Sequence, residues 1–291
     1  MNRLFFYMWS YYSTFCVFIL GVLEIHSGFS QPGKLESYLL KNDVPLICGH
    51  RGGYYTAYPE NTIALFDTIY KTAGENFIMF EIDIRESKDR TLVVAHDADL
   101  TRTAGIPDSI HILNISEFRK TNLLDQTGVK SHHHPSTLAD VFEWSKDKNV
   151  FLMLDVKTPC WAKLGTLLNL HRFSEKCMVL TFSDATFREA NLHLKNTLIS
   201  TLVTKVGDEN KVVDYTRNFT KPVLYVTKET PPEVLKKFKG EQFILLSDPR
   251  ELYNNNKEPF DSSFYKTYVS ELYLNVLVTD FPIEVNSFLH R

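Results

Sequence analysis

Ionisable residues in this chain collect just behind short apolar runs. His50 and Arg51 follow Leu46-Ile47-Cys48, and Glu81 and Asp83 lie inside the run Phe77–Ile84. His96 and Asp97 follow Leu92-Val93-Val94-Ala95, while Asp155 and Lys157 follow Phe151-Leu152-Met153-Leu154. Glu81 with Asp83, like Asp155 with Lys157, is spaced i, i+2, so in a strand each pair shares one face. Three carboxylates, Glu81, Asp83 and Asp155, brought together would repel one another without a cation. An all-oxygen set suits a hard divalent ion, Mg²⁺ or Ca²⁺, rather than zinc. Arg51 and Lys157 suit a phosphate group, and His50 and His96 can exchange protons near neutral pH. Each piece alone has a plain reading as a capped turn, a solvated strand edge, a loop pair or an ion pair. Their joint occurrence behind four successive runs points to cleavage of a phosphate ester.

Such residues need a frame that brings strand ends together. Strands are expected at Leu46–Gly49, Phe77–Ile84, Leu92–Ala95, Val150–Val156, Met178–Thr181, Leu198–Thr204, Phe243–Leu246 and Leu274–Thr279. Val223–Val226 competes with Phe243–Leu246 for the seventh, and Asn254-Asn255-Asn256 reads as a surface loop. Helical spacing of Ile63, Phe66 and Tyr70 after Asn61 predicts a helix with Asn61 as its N-cap. Thr137 and Asp140 form a capping-box pattern ahead of Leu138, Val141 and Phe142. Alternating strands and helices imply a parallel sheet. Eight such units in about 245 residues, over 44–288, predict an α/β fold, a (β/α)8 TIM barrel. In that fold the carboxyl ends of the strands form one active face.

The chain has 291 residues, 44% hydrophobic and 23% charged, with 12 Gly and 12 Pro. That mix fills a core and excludes a disordered or collagen-like chain. With 32 basic and 35 acidic residues the net charge is −3, which gives no electrostatic case for nucleic acid or for a polybasic membrane patch. Arg3 is the only charge before Glu24. Residues 1–30 therefore read as a signal peptide or a signal anchor. The short, interrupted apolar run before Gly28 and Ser30 favours cleavage. An anchor would associate with the membrane through residues 4–23, since roughly 20 uncharged residues can span a bilayer. Either way the barrel is expected to be secreted or in the secretory lumen, or membrane-anchored on that side, and the sequons at Asn114 and Asn218 agree with that route. Cys48, Cys160 and Cys177 form no disulfide framework, and a Cys160–Cys177 bridge across a predicted helix is not expected. His132-His133-His134 reads as a polar loop rather than a metal site.

The strings His50-Arg51-Gly52-Gly53, Pro59-Glu60-Asn61-Thr62, Glu81-Ile82-Asp83 and His96-Asp97 with Leu100 and Arg102-Thr103 resemble the glycerophosphodiester phosphodiesterase family. So do Ser136-Thr137-Leu138, Asp155-Val156-Lys157 and Thr279-Asp280-Phe281-Pro282, so that the likeness runs from about Val44 to Pro282. The resemblance implies a TIM-barrel hydrolase that uses a divalent cation to split glycerophosphodiesters into glycerol 3-phosphate and an alcohol. It implies His50 and His96 as the acid/base pair, Glu81 and Asp83 as metal ligands, and Arg51 and Lys157 on the phosphate. Asp155 falls where most members carry Glu, and its shorter carboxylate still offers oxygen. Glu60 would orient the residues after the first strand, and His96 has the metal as an alternative partner. Lysophospholipids are the second substrate expectation, and a non-catalytic secreted barrel that binds a phosphorylated ligand is the third reading. Members typically carry Trp-Thr-Val-Asn before the last strand, where this chain has Leu245-Leu246-Ser247-Asp248.

Overall fold

Eight parallel strands close on themselves in the computed structural model, which describes residues 34–208, 222–238, 243–252 and 258–290. The amino-terminal segment 1–30, the Asn218 sequon and Asn254–Asn256 lie outside the described residues. The staves are β1 (Leu46–Gly49), β2 (Ile78–Glu86), β3 (Val150–Val156), β4 (Cys177–Leu180), β5 (Leu198–Val203), β6 (Val223–Val226), β7 (Ile244–Ser247) and β8 (Val276–Thr279). They stand in chain order, and β1 pairs with both β8 and β2 to complete the ring. Among the described residues no helix is long and apolar enough to cross a membrane.

Side-chain alternation sorts the core into two layers. Leu46 and Cys48 of β1, Met79 of β2, Phe151 and Met153 of β3, and Val276 and Val278 of β8 share the barrel interior. The residues between them, such as Ile78, Phe80, Ile82, Leu152 and Leu154, face the surrounding helices. The helix Lys34–Lys41, ahead of residue 44, places Leu35 and Leu39 in the interior cluster. Cys48, Cys160 and Cys177 are buried free thiols.

Three sequence expectations change. Leu92–Val94 is a strand, but it pairs antiparallel with Ile84–Glu86 and is not a stave. The reason is connection length. Only residues 87–91 separate it from β2, whereas a parallel return needs a crossover of about a dozen residues or more. The eighth stave is supplied because Val223–Val226 and Ile244–Ser247 are both barrel strands. The helix Ile63–Thr72 is capped by Thr62, whose Oγ1 accepts from Leu65 N at 3.3 Å. Asn61 instead adopts φ 57°, away from the extended conformation that a cap requires.

The capping box of the helix Leu138–Ser145 is present as read from sequence. Asp140 N donates to Thr137 Oγ1 at 3.1 Å, and Thr137 N to Asp140 Oδ2 at 2.9 Å. Thr137→Ala is expected to lower stability by about 1 kcal/mol. An unchanged urea midpoint with an unchanged slope would count against that role.

Candidate active site

The loop after β1 is shaped by backbone conformations that bring amides to the barrel mouth. Arg51 is left-handed at φ 50° and ψ 27°, an uncommon state for a side-chain-bearing residue and one found at functional sites. Gly52 follows at φ 96°, where a Cβ would lie 2.7 Å from the Phe66 ring. The turn aims Arg51 N at Glu81 Oε2, 2.8 Å away. Asn61 N donates back to Arg51 O at 2.8 Å. The Asn61 side chain then clamps the neighbouring strand, with Nδ2 donating to Asp83 Oδ2 at 2.8 Å and Oδ1 accepting from Asp83 N at 3.3 Å.

The acidic residues extend the interior rows of two adjacent staves. Met79, Glu81 and Asp83 follow one another on β2, as do Phe151, Met153 and Asp155 on β3, and Asp83 is the register partner of Asp155. One oxygen each from Glu81, Asp83 and Asp155 lies within 4.8 Å of the others. Burial pushes the Glu81 carboxyl well above the usual range, and Asp83 and Asp155 add to the rise. That is the electrostatic condition a divalent cation relieves, and an oxygen-only donor set fits a hard one. Lys157 Nζ lies 2.6 Å from Asp155 Oδ2 and 3.1 Å from Asp83 Oδ1. Burial opposes its charge, but the two carboxylates outweigh it and raise its pKa. Lys157, expected on a phosphate, therefore sits as a counter-ion inside the acidic cluster.

Each histidine has a carboxylate on its Nδ1. His50 Nδ1 is 2.8 Å from Asp280 Oδ1, and His96 Nδ1 is 2.7 Å from Asp97 Oδ1. Burial pulls the His50 pKa down; Asp280 opposes this, and the Arg250 and Arg51 charges reinforce it. His96 reaches the site through the hairpin, where Ala95 N donates to Asp83 O at 3.0 Å and Arg85 Nε to His96 O at 2.8 Å. Glu60 accepts from Arg51 Nη1 at 3.2 Å and from both terminal nitrogens of Arg102 at 2.8 and 2.6 Å. Arg102 also donates to Asp97 at 2.7 Å, so Glu60 links the β1 loop to the histidine of the hairpin. Beside His50 opens a cavity of about 640 Å³, lined by Arg51, Glu60, Arg102, Gln126, Asp280 and Phe281 among others.

Thus His50, Arg51 and Glu60 gather on one side of the mouth, Glu81, Asp83, Asp155 and Lys157 form its acidic centre, and His96 borders it. His132-His133-His134 stays outside, with His133 stacked on Tyr58 and His134 Nδ1 donating to Thr121 O at 2.8 Å. Sequence reasoning missed the roles of Asp280, Asp97, Asn61, Asp248 and Arg250. The signal for Asp280 and Asp248 was present. Val276-x-Val278-x-Asp280 and Ile244-x-Leu246-x-Asp248 repeat the apolar-to-acidic row that exposed Asp83.

Known proteins resemble this chain in sequence and in fold. The profile of the glycerophosphoryl diester phosphodiesterase family matches residues 50–224. A glycerophosphodiester phosphodiesterase of Caldanaerobacter subterraneus subsp. tengcongensis is 27% identical over 160 residues, which cover 52% of this chain and 64% of that relative's length. A glycerophosphoryl diester phosphodiesterase from Parabacteroides distasonis superposes with a TM-score of 0.75 at 23% identity, covering 88% of this chain and 90% of that one. A phosphodiesterase from Oleispira antarctica, solved with the product sn-glycerol-3-phosphate, gives 0.65 at 16% identity over 85% of this chain and 98% of that one. At these identities the structural likeness establishes the barrel fold.

Proposed function

This chain belongs to the glycerophosphoryl diester phosphodiesterase family, and we propose that it hydrolyses glycerophosphodiesters to glycerol 3-phosphate and a free alcohol. The observation that carries this reading is one mouth holding three clustered carboxylates, Arg51 and two histidines each oriented by an aspartate. The product bound by the Oleispira neighbour is the expected glycerol 3-phosphate. Glu81, Asp83 and Asp155 would hold a divalent cation, which supplies Lewis-acid stabilisation of charge on the phosphate oxygens. Arg51 offers its guanidinium to the same anion. His50, neutral and protonated on Nδ1 against Asp280, presents an Nε2 lone pair that can take a proton from the attacking water, or from the neighbouring glycerol hydroxyl in a first step whose cyclic phosphate a water then opens to glycerol 3-phosphate. His96, oriented by Asp97, then donates a proton to the departing alcohol oxygen as its bond to phosphorus breaks.

Phosphorus NMR of the full chain with glycerophosphocholine and lysophosphatidylcholine, under Mg²⁺, Ca²⁺ or a chelator, tests this. Glycerol 3-phosphate is expected to appear with the cation and not with the chelator. Consumption of the lysolipid alone would shift the substrate to lysophospholipids. A folded protein that converts neither would overturn the reading.

A further inference from the structure

The interior rows of side chains end differently on the two halves of the barrel mouth. On β7, β8, β1, β2 and β3 they end in Asp248, Asp280, His50, Asp83 and Asp155. Asp248 also holds Arg250 beside His50, with Arg250 Nε donating to Oδ1 and Oδ2 at 2.9 and 2.8 Å. On β4, β5 and β6 the same rows end without a charge. Met178 leads to Leu180 and then Phe182, Leu198 leads through Ser200 to Leu202, and Val223 leads to Tyr225.

These side chains form one shelf. Leu180 is the register partner of Asp155, so the shelf starts one strand spacing, about 4.8 Å, from the acidic centre. Leu202 is the register partner of Tyr225. Thr181 Oγ1 donates to Ser200 O at 2.5 Å and ties the turn after β4 to β5. The Phe182 ring then meets the Tyr225 ring edge-on at 5.9 Å. Tyr225 is two staves away, so the pair spans the end of β5, where Leu202 lies. Phe182 is nonetheless 48% exposed, which leaves a large apolar surface at the mouth. Burial, and then the Asp248 carboxylate, raise the pKa of Tyr225 and keep its phenol neutral. Single exposed apolar residues are ordinary, but a contiguous set beside a charged site marks a binding surface.

The mouth is therefore amphipathic from side to side. A polar cavity opens beside His50, the acidic centre and Arg51 lie in the middle, and the apolar shelf lies beyond Asp155. A diester whose phosphate stands between a polar alcohol and a hydrocarbon chain has the same order of parts. We propose that Phe182, Leu202 and Tyr225, with Leu180 beside Asp155, are specificity-determining residues that take the hydrocarbon chain of a diester acylated on its glycerol. Chain-bearing glycerophosphodiesters are thereby bound in preference to water-soluble ones. This inference rests on the phosphodiesterase reading and narrows its substrate class. The shelf acts on binding, and the chemistry at phosphorus is the same for both kinds of diester.

Glycerophosphocholine and lysophosphatidylcholines of increasing chain length, kept below micelle-forming concentrations, test this on the full chain. Complete removal of one methylene from water is worth about fourfold in affinity, and a chain lying on an open shelf is covered on one side only. kcat/KM is therefore expected to rise by about twofold per added methylene until the shelf is covered. Phe182→Ser should lower the ratio of kcat/KM for the longest chain to that for glycerophosphocholine by about tenfold, and Phe182→Leu should recover most of it. Leu202→Ser carries the same comparison if Phe182→Ser fails to fold. Saturation-transfer NMR on the chelated protein should pass magnetisation from its ring protons to the chain methylenes, and less of it in Phe182→Ser. A kcat/KM independent of chain length, a ratio that the substitution leaves unmoved, or equal chain signals in wild type and variant would each overturn the proposal. Cleavage of glycerophosphocholine with no gain from a chain would remove the shelf and leave the phosphodiesterase reading standing. Should the wild type cleave neither substrate, the saturation-transfer readout still judges the shelf, so the two ideas fail separately.

Discussion

Glu81→Gln is expected to cut cation-dependent turnover by on the order of 10³-fold or more, because several kcal/mol of charge stabilisation at the phosphate would be lost. The substitution keeps the shape of the side chain, and its amide oxygen can still accept from Arg51 N, which Glu81 Oε2 meets at 2.8 Å. The barrel should therefore stay folded. Stability separates a ligand role from a packing role. Burial first, and then Asp83 and Asp155, raise the Glu81 pKa above its unfolded value. A group raised in the folded state contributes stability below its unfolded pKa, and that contribution fades as pH rises through the folded value. Chelated wild-type protein should thus lose stability relative to Glu81→Gln as pH climbs through that range. Adding Mg²⁺ or Ca²⁺ should raise the wild-type melting temperature and leave the variant nearly unmoved. Normal metal-dependent turnover in the variant, or a wild type that no divalent cation stabilises, would remove the carboxylate cluster from the mechanism.

The acidic centre was legible in sequence because β2 and β3 are long enough for alternation to show. Nine and seven residues leave room for an apolar interior row before the carboxylates begin. The same row exists in β7 and β8, but each has four residues, so Asp248 and Asp280 fall just beyond the run and read as loop. Arg250 could not be read at all, since its meaning lies in a contact with His50, 200 positions away in the chain. Asn61 and Thr62 carry equivalent capping chemistry, and only the left-handed backbone at Asn61 assigns the cap to its neighbour and frees Asn61 for Asp83. The hairpin strand Leu92–Val94 reads as a stave in sequence because an apolar run carries no direction. The five-residue connection holds that information, since it is too short for a parallel return.

Asp280→Asn is expected to lower kcat by about 10²–10⁴-fold, the scale of a disabled general base. His50 gains a positive charge when it takes a proton, and it does so beside Arg250 and Arg51, both of which pull its pKa down. Asp280 is the carboxylate on its Nδ1 that offsets them. Asparagine can still hydrogen-bond the ring, but it removes the negative charge that the protonated ring depends on. The barrel should survive, because the backbone oxygen of residue 280 still accepts from Tyr54 N. Divalent-cation affinity should be unchanged, because Asp280 is not one of the clustered carboxylates. At saturating cation, the His50 pKa should move further down, so the acid limb of kcat/KM shifts to lower pH while the plateau falls. His50→Asn combined with Asp280→Asn should lose little beyond His50→Asn alone, since the two residues act as a unit. A single Asp280→Asn variant whose kcat stays within about threefold of wild type, or losses that multiply in the double variant, would mean that the His50–Asp280 pair holds the loop and not the proton.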